Sequence, residues 1–204
     1  MRLYVCRREL VLRSFLAPPY EITSRVSDPN VLPLFKPSCS AQPRVESFSV
    51  SDSEFTLRDY TPEDFESLWK LDQLCFVDGI AYTREELAYF LSDKSGFTIV
   101  AERKSDIQGF IVIQREKRQT GHVITIDVHE NARRAGLGTQ LMDAAESRLS
   151  STKCDSILLE VAVDNLPAIS FYKRRGYSVL KTIPRYYMNS IDALMLGKNL
   201  KNRY

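Results

Sequence analysis

Arg133-Arg134-Ala135-Gly136-Leu137-Gly138-Thr139 comes directly after the apolar stretch His122 to Val128 and opens a segment of helical periodicity that starts near Leu137. A strand-to-helix turn of this composition can hold an anion. The first N–H groups of a helix find no partner inside it, and the aligned peptide dipoles leave partial positive charge at that end. Gly136 and Gly138 carry no Cβ that would keep a pyrophosphate from the main chain. The lysine of a GxxxxGK loop is missing and GxGxxG is not matched, so neither a Mg-nucleotide triphosphatase nor a dinucleotide-binding enzyme is indicated. The plainer alternative is an ordinary turn with a solvated basic face.

A second segment, Leu159 to Tyr177, again runs from strand into helix. Glu160 interrupts an apolar strand, Asn165 stands where the helix begins, Tyr172 falls inside that helix and Gly176 follows it. Each has a plain structural use, as a solvated edge glutamate, a helix cap and a packed tyrosine. Each also has chemistry. A carboxylate can take a proton or bind an ammonium group, and a phenol of pKa about 10 is protonated at neutral pH and can give its proton up. Together the two segments resemble the GCN5-related N-acetyltransferase (GNAT) superfamily. Its first signature is a valine-ended strand, then Arg/Gln-x-x-Gly-x-Gly/Ala and a helix; its second is strand, Asn, helix, Tyr, Gly-Phe/Tyr. Both occur here in order, and the resemblance extends from about Phe55 to Leu200.

The resemblance implies an acetyl-CoA-dependent acyltransferase without a metal. In that superfamily two parallel strands splay apart and acetyl-CoA lies in the gap. Carried onto this chain, Ile126, Asp127 and Val128 would offer main-chain groups to the pantetheine arm, and Arg133, Arg134, Ala135, Gly136, Leu137, Gly138 and Thr139 would surround the phosphates. Asn165 would bind the arm through its side-chain amide. Tyr172 stands where the family keeps the acid that protonates the departing CoA sulfur, a thiolate whose conjugate acid has a pKa of about 8.5. Glu160 is the leading base, and the Glu160/Asn165/Tyr172 spacing is similar to that of the RimI-type ribosomal-protein alanine N-acetyltransferases. His122 occupies a place where some protein N-terminal acetyltransferases carry a His or Tyr that removes a proton, directly or through water. His129 lies nearer the turn, and both histidines equally suit surface positions.

The tail Ile183-Pro184-Arg185-Tyr186-Tyr187-Met188 resembles the final hairpin of protein N-terminal acetyltransferases, in which a Tyr-Tyr pair covers the peptide backbone. Cross-strand aromatic packing is the other reading of that pair. With Phe76, Ile80 and Tyr82 from an apolar loop between two helices, Tyr186 and Tyr187 would wall a groove for the first residues of a polypeptide. Acid–base magnitudes lean the same way. An α-amino group costs about 1 to 1.4 kcal/mol to deprotonate at pH 7, a lysine about 4.6, so a modest base suffices for the former. The expected activity is therefore acetyl transfer to a protein or peptide N-terminus by direct attack, with free amines or lysine side chains as the enzymic alternative and a non-catalytic acyl-CoA-binding module as the alternative of another class.

These residues need a scaffold, and the sequence predicts one. Phe55 to Arg58 alternates as a strand; Thr61-Pro62-Glu63-Asp64 and Thr83-Arg84-Glu85-Glu86 read as capping boxes opening two helices. Phe97 to Ala101, Gly109 to Gln114 and Val123 to Val128 form an antiparallel meander. A helix separates the strands ending at Val128 and Val163, so those two run parallel, and Val179 to Ile183 with Ala193 to Leu196 close the sheet. The expected class is α/β, with a mixed, mostly antiparallel sheet of six to seven strands, a splayed central parallel pair, and helices on both faces.

Composition fits one domain behind an extension. The chain has 204 residues, 44% of them hydrophobic, enough for one core, with residues 51–204 as the domain and 1–50 as a proline-rich, poorly ordered segment. That segment's arginines imitate a transit peptide, but Glu9 and Glu21 argue against one, and a start placed too early is a further reading. Residues 51–100 hold 4 Lys/Arg against 11 Asp/Glu, while 101–204 hold 17 against 11. An acidic half for a cationic amine and a basic half for a polyanionic cofactor suit such an enzyme. No apolar run is long enough for a membrane span, no basic-aromatic block suggests nucleic acid, and the four cysteines lack metal-ligand spacing. A reducing, cytoplasmic setting and a monomer or weak dimer are expected.

Overall fold

The computed structural model describes residues 55–76, 80–116, 119–187 and 190–201. The proposed extension of residues 1–50 lies outside the described residues, as do residues 77–79 of the loop between the first two helices. The chain runs β1 (Thr56–Asp59), α1 (Phe65–Cys75), α2 (Arg84–Ser92), β2 (Phe97–Arg103), β3 (Asp106–Glu116), β4 (Thr120–Val128), α3 (Leu137–Ser151), β5 (Ser156–Ala162), α4 (Leu166–Arg174), β6 (Ser178–Tyr187) and β7 (Ile191–Asn199). These strands make one seven-stranded sheet in the order β1-β2-β3-β4-β5-β7-β6.

Local chemistry explains where the helices begin. A short 3-10 turn, Pro62–Asp64, leads into α1, and the Asp64 carboxylate accepts the Thr61 N–H at 2.9 Å and two Arg58 N–H groups at 2.7 and 2.8 Å. Turn and first strand are thereby tied together. Thr83 caps α2 by accepting from the Glu86 N–H, while the Glu86 carboxylate takes the Thr83 N–H, satisfying donors that would otherwise be orphaned. Gly176, with φ of 85°, ends α4 in the left-handed conformation that glycine adopts without strain.

The sheet separates two apolar layers. On one face α3 and α4 pack Leu137, Leu141, Ala145, Leu149, Ile169 and Tyr172 against Ile111, Ile126, Ile157 and Leu159. On the other, α1, α2 and their connecting loop pack Leu68, Leu71, Leu87 and Phe90 against Val112 and Ile124, in the cluster that also holds Ala162. All of these side chains are buried, so the sheet is covered on both faces along its middle strands. The outer strand β6 is mostly exposed and carries Pro184, a residue suited to an edge because it offers no N–H to a further strand.

Two departures from simple pairing shape the middle. β4 and β5 are parallel and pair at Thr120–Ser156, Gly121–Ile157 and His122–Leu158. Beyond that point β4 stays paired to β3 alone and β5 to β7, so the inner edges of Val123–Val128 and Leu159–Ala162 face one another unladdered. A bulge sits at the same place. The β3–β4 register passes from Val112 opposite Thr125 to Ile113 opposite Val123, leaving Ile124 as the extra residue. The facing slips with it: Val123, Ile126 and Val128 belong to the α3/α4 layer, and Ile124 to the α1/α2 layer.

The sequence predicts the closing hairpin as Val179–Ile183 with Ala193–Leu196; its strands are longer, and the second strand inserts beside β5. Leu196 is fully buried while Val179 is 45% exposed, so burial decides which strand is internal.

Candidate active site

The divergence of β4 and β5 brings the singled-out residues together. His122 is the last β4 residue paired across the parallel ladder, and Glu160 stands two residues beyond its partner Leu158. Their side chains meet: Glu160 Oε2 lies 2.7 Å from His122 Nε2, with Glu160 2% and His122 4% exposed. Surface positions, which the sequence left open for both, are therefore excluded. Alternation explains the shared face. Ile157, Leu159 and Val161 point into the α3/α4 layer, which sends Glu160 and Ala162 to the opposite side.

The aromatic residues expected to wall a groove lie on that same face. Phe76, Tyr82, Tyr186 and Tyr187 are buried in the α1/α2 layer, with Ile80 packed against them. Tyr82 donates its hydroxyl to the Ile124 carbonyl and Tyr187 donates to the Glu160 carbonyl, each at 3.3 Å. One tyrosine thus reaches each diverging strand. Gln73 and Asp72 fix the first: the Gln73 amide donates to the Tyr82 carbonyl and the Asp72 carboxylate accepts the Tyr82 N–H, both at 2.8 Å.

Tyr172 is on the other face. It is fully buried in α4, its ring packs edge-on against Phe171 and Tyr177, and its hydroxyl has no hydrogen-bond partner among the described residues. An orphaned buried hydroxyl is costly and uncommon. Burial raises the Tyr172 hydroxyl far above its ordinary pKa; Arg175 opposes this and Asp127 adds to it. The hydroxyl therefore stays protonated at any physiological pH.

The glycine turn has the form of an anion cradle. Arg134 and Gly136 are both left-handed, with φ of 63° and 83°, and Gly136 is the N-cap of α3. Among the described residues, the N–H groups of Arg134, Ala135, Gly136, Leu137 and Gly138 donate to no backbone carbonyl, whereas Thr139 donates to Gly136. A Cβ placed on Gly136 would meet nothing within 4 Å, so the main chain is open there. Arg133 differs from its neighbours: its N–H bonds Glu130, and its guanidinium donates to the Val128 carbonyl at 3.0 Å and approaches Cys75 Sγ at 3.9 Å. It secures the end of β4 to α1. Asn165 caps α4, its Oδ1 accepting from Ala168 N–H at 3.2 Å.

Three basic residues lie outside the expected set of site residues. Arg174, Arg175 and Lys198 line a cleft of about 450 Å³ together with Thr139, Asp143 and Phe171. The run Lys173-Arg174-Arg175 is visible in the sequence, but it equally suits a helix C-terminus, where cations complement the dipole. Only the packing of α4 beside α3 gives it a cleft. Behind it, fully buried Glu146 accepts from Arg175 at 3.1 Å, Lys198 at 2.7 Å and the Tyr177 hydroxyl at 3.1 Å, so its charge is compensated.

Electrostatics on the α1/α2 face depend on pH. Burial works against a charged His122, but the carboxylates of Glu160 and Glu116 outweigh it and raise the imidazole to about 9. Burial pushes Asp72 up to about 7, and it holds Asp127 well above the usual carboxylate range, with the Asp72 charge adding to the effect. A carboxyl raised in the native state binds its proton more readily there than in the unfolded chain, so Asp72 makes stability fall as pH climbs from about 4 to about 7. His122 contributes stability that is complete below about 6.5 and lost as pH rises through about 9. Both act in one direction. Urea midpoints are expected to be higher at pH 5 than at pH 8, with Asp72→Asn flattening the acid part of the slope; a midpoint that rises with pH across this range would contradict the assignment.

The family model described as Acetyltransferase (GNAT) family matches residues 64–177. The chain belongs to the GNAT acetyltransferase family. It is 28% identical over 163 residues to an N-alpha-acetyltransferase of Sulfurisphaera tokodaii, an alignment covering 72% of this chain and 94% of that protein. The solved structure of Ard1 from Thermoplasma volcanium superposes with a TM-score of 0.66 at 30% identity, covering 72% of this chain and 97% of that one. The ribosomal-protein-S18-alanine N-acetyltransferase of Escherichia coli has the same fold, with a TM-score of 0.65 at 18% identity over 74% of this chain and 99% of that one. Among the described residues no helix is long and apolar enough to cross a membrane, and no group of three His, Cys, Asp or Glu residues is placed to hold a metal ion.

Proposed function

We propose that this GNAT enzyme transfers the acetyl group of acetyl-CoA to the α-amino group of a protein or peptide N-terminus. The observation that supports the reading is the Glu160–His122 contact on one face of the sheet and the unpartnered Tyr172 hydroxyl in the layer on the other, in a sheet whose β4 and β5 are unladdered beyond His122. Acetyl-CoA, when bound, supplies an activated acetyl thioester. Main-chain groups of Ile126, Asp127 and Val128 on the open edge of β4 receive its arm, Asn165 adds its side-chain amide, and the N–H groups from Arg134 to Gly138 hold its phosphates. Arg174, at the cleft beside Thr139, adds positive charge for the rest of the polyanion.

On the opposite face the acceptor amine meets Glu160, which takes its proton as the N–C bond forms, while His122 orients the carboxylate. Tyr172 gives its proton to the sulfur as the C–S bond breaks. The two protons travel on different sides of the sheet. Phe76, Ile80, Tyr82, Tyr186 and Tyr187 cluster on the Glu160 face; in this reading the first residues of a peptide pack against that cluster, a contact of little use to a small polar amine. The N-alpha-acetyltransferase name of the Sulfurisphaera relative supports the same substrate class. A reducing cytoplasmic setting suits Cys75 and Cys154, which are free and buried.

The deciding experiment presents labelled acetyl-CoA with a panel of N-terminal peptides, N-terminally blocked lysine peptides and free amines. Label on unblocked peptides supports the reading; turnover confined to free amines, or CoA binding without turnover, would replace it. Gly136→Val tests the cradle separately. A branched side chain in the left-handed region costs about 1 to 2 kcal/mol, so a roughly tenfold rise in the acetyl-CoA Kd is expected by calorimetry. An unchanged Kd would mean that the turn does not hold the phosphates.

A further inference from the structure

Glu160 and His122 do not form an isolated pair. Glu116, at the end of β3, brings its Oε1 to 3.1 Å from His122 Nδ1, on the side of the ring away from Glu160. The β3–β4 register accounts for this contact. Gln114 pairs with His122 and Glu116 with Thr120, so Glu116 is the diagonal neighbour of His122 on the same face. The line runs Glu160, His122, Glu116 across three adjacent strands, from side chains 3% and 5% exposed to one 46% exposed. It leads from the buried base to solvent.

We propose that Glu116 is a positioning residue of the transfer reaction, holding His122 in its doubly protonated form so that Glu160 faces the acceptor amine as a charge-balanced carboxylate. The inference rests on the acetyl-transfer reading and adds a residue to it. A buried carboxylate with no counter-charge would hold the incoming amine as its ammonium, which has no lone pair and cannot attack. Beside an imidazolium the same carboxylate is already balanced, and the amine can sit next to it neutral. His122 supplies the positive charge of that balance, and Glu116 helps to hold the proton on it. Burial alone would strip the proton from the imidazole; the two carboxylates together keep it there to about pH 9. Glu116 from β3 and Glu160 from β5 are the ionisable groups that act on His122, while Tyr187 from β6 reaches the main-chain carbonyl of Glu160.

The test is Glu116→Gln in the full chain, with Glu116→Asp as the conservative control. The chain has only two histidines, so the imidazole signals of His122 can be followed by NMR with His129 as an internal reference. In Glu116→Gln the His122 titration is expected to move down by roughly one pH unit while His129 stays in place. The alkaline limb of kcat/KM should follow, giving about a fivefold loss at pH 9 with little change at pH 7 and an unchanged acetyl-CoA Kd. Glu116→Asp should fall between the two proteins. A His122 titration identical in wild type and Glu116→Gln overturns the proposal, and so does a titration that moves while the rate profile does not. Failure of the acetyl-transfer reading looks different: wild type would then show no transfer to any amine while the His122 titration remained readable. That outcome removes the catalytic role of Glu116 and leaves only its ionic contact.

Discussion

Glu160→Gln is expected to lower kcat by about a hundred- to a thousandfold, the range that removal of a general base produces, while leaving the acetyl-CoA Kd within about twofold of wild type. Glutamine keeps the shape and can still accept a hydrogen bond from His122, but it cannot take a proton. The acceptor would have to lose its proton to water in a site where Glu160 is 2% and His122 4% exposed. Stability should fall as well, because His122 loses the buried carboxylate that holds its charge, so its imidazole should titrate well below about 9. Activity is therefore read on protein whose CoA binding is intact. A variant with wild-type kcat would remove Glu160 from the chemistry.

Tyr172→Phe separates function from packing with unusual clarity. Deleting a buried hydroxyl that is hydrogen-bonded costs stability, but the Tyr172 hydroxyl has no partner among the described residues, so its loss removes a desolvation penalty and no bond. The urea midpoint is expected to be unchanged or slightly higher. The kcat, by contrast, should drop about a hundredfold, because the sulfur must then leave as a thiolate without its proton. Loss of both activity and stability would point to a packing role for the tyrosine. Retention of both would mean that the sulfur obtains its proton elsewhere.

Much of the scaffold is legible from local rules. The capping boxes at Thr61 and Thr83, the left-handed Gly176 and the three-stranded meander each follow from residues a few positions apart. Asn165 shows the limit of such reading. Its sequence context suits a helix cap as well as a ligand contact, and the cap is present. Arg133 shows it again, since an arginine next to a glycine turn points equally well to an anion or to a strand end, and its guanidinium bonds the Val128 carbonyl. Both partners of the guanidinium lie outside the turn, at Val128 on β4 and Cys75 on α1.

What the sequence determined by itself is the succession of elements and the residue types at the ends of two strands, since helix caps, glycine turns and alternation act over a few residues. The tertiary structure decided which of those residues meet. The Glu160–His122 contact spans 38 positions and the Glu116 contact arises from the β3–β4 register. The bulge at Ile124 and the end of the parallel ladder at His122 set which face each side chain takes, because a one-residue slip in a strand turns every later side chain to the other side. On β5 plain alternation turns Glu160 away from the layer of Leu159 and Val161, whereas Tyr172, twelve residues later in the same strand-helix unit, packs into that layer.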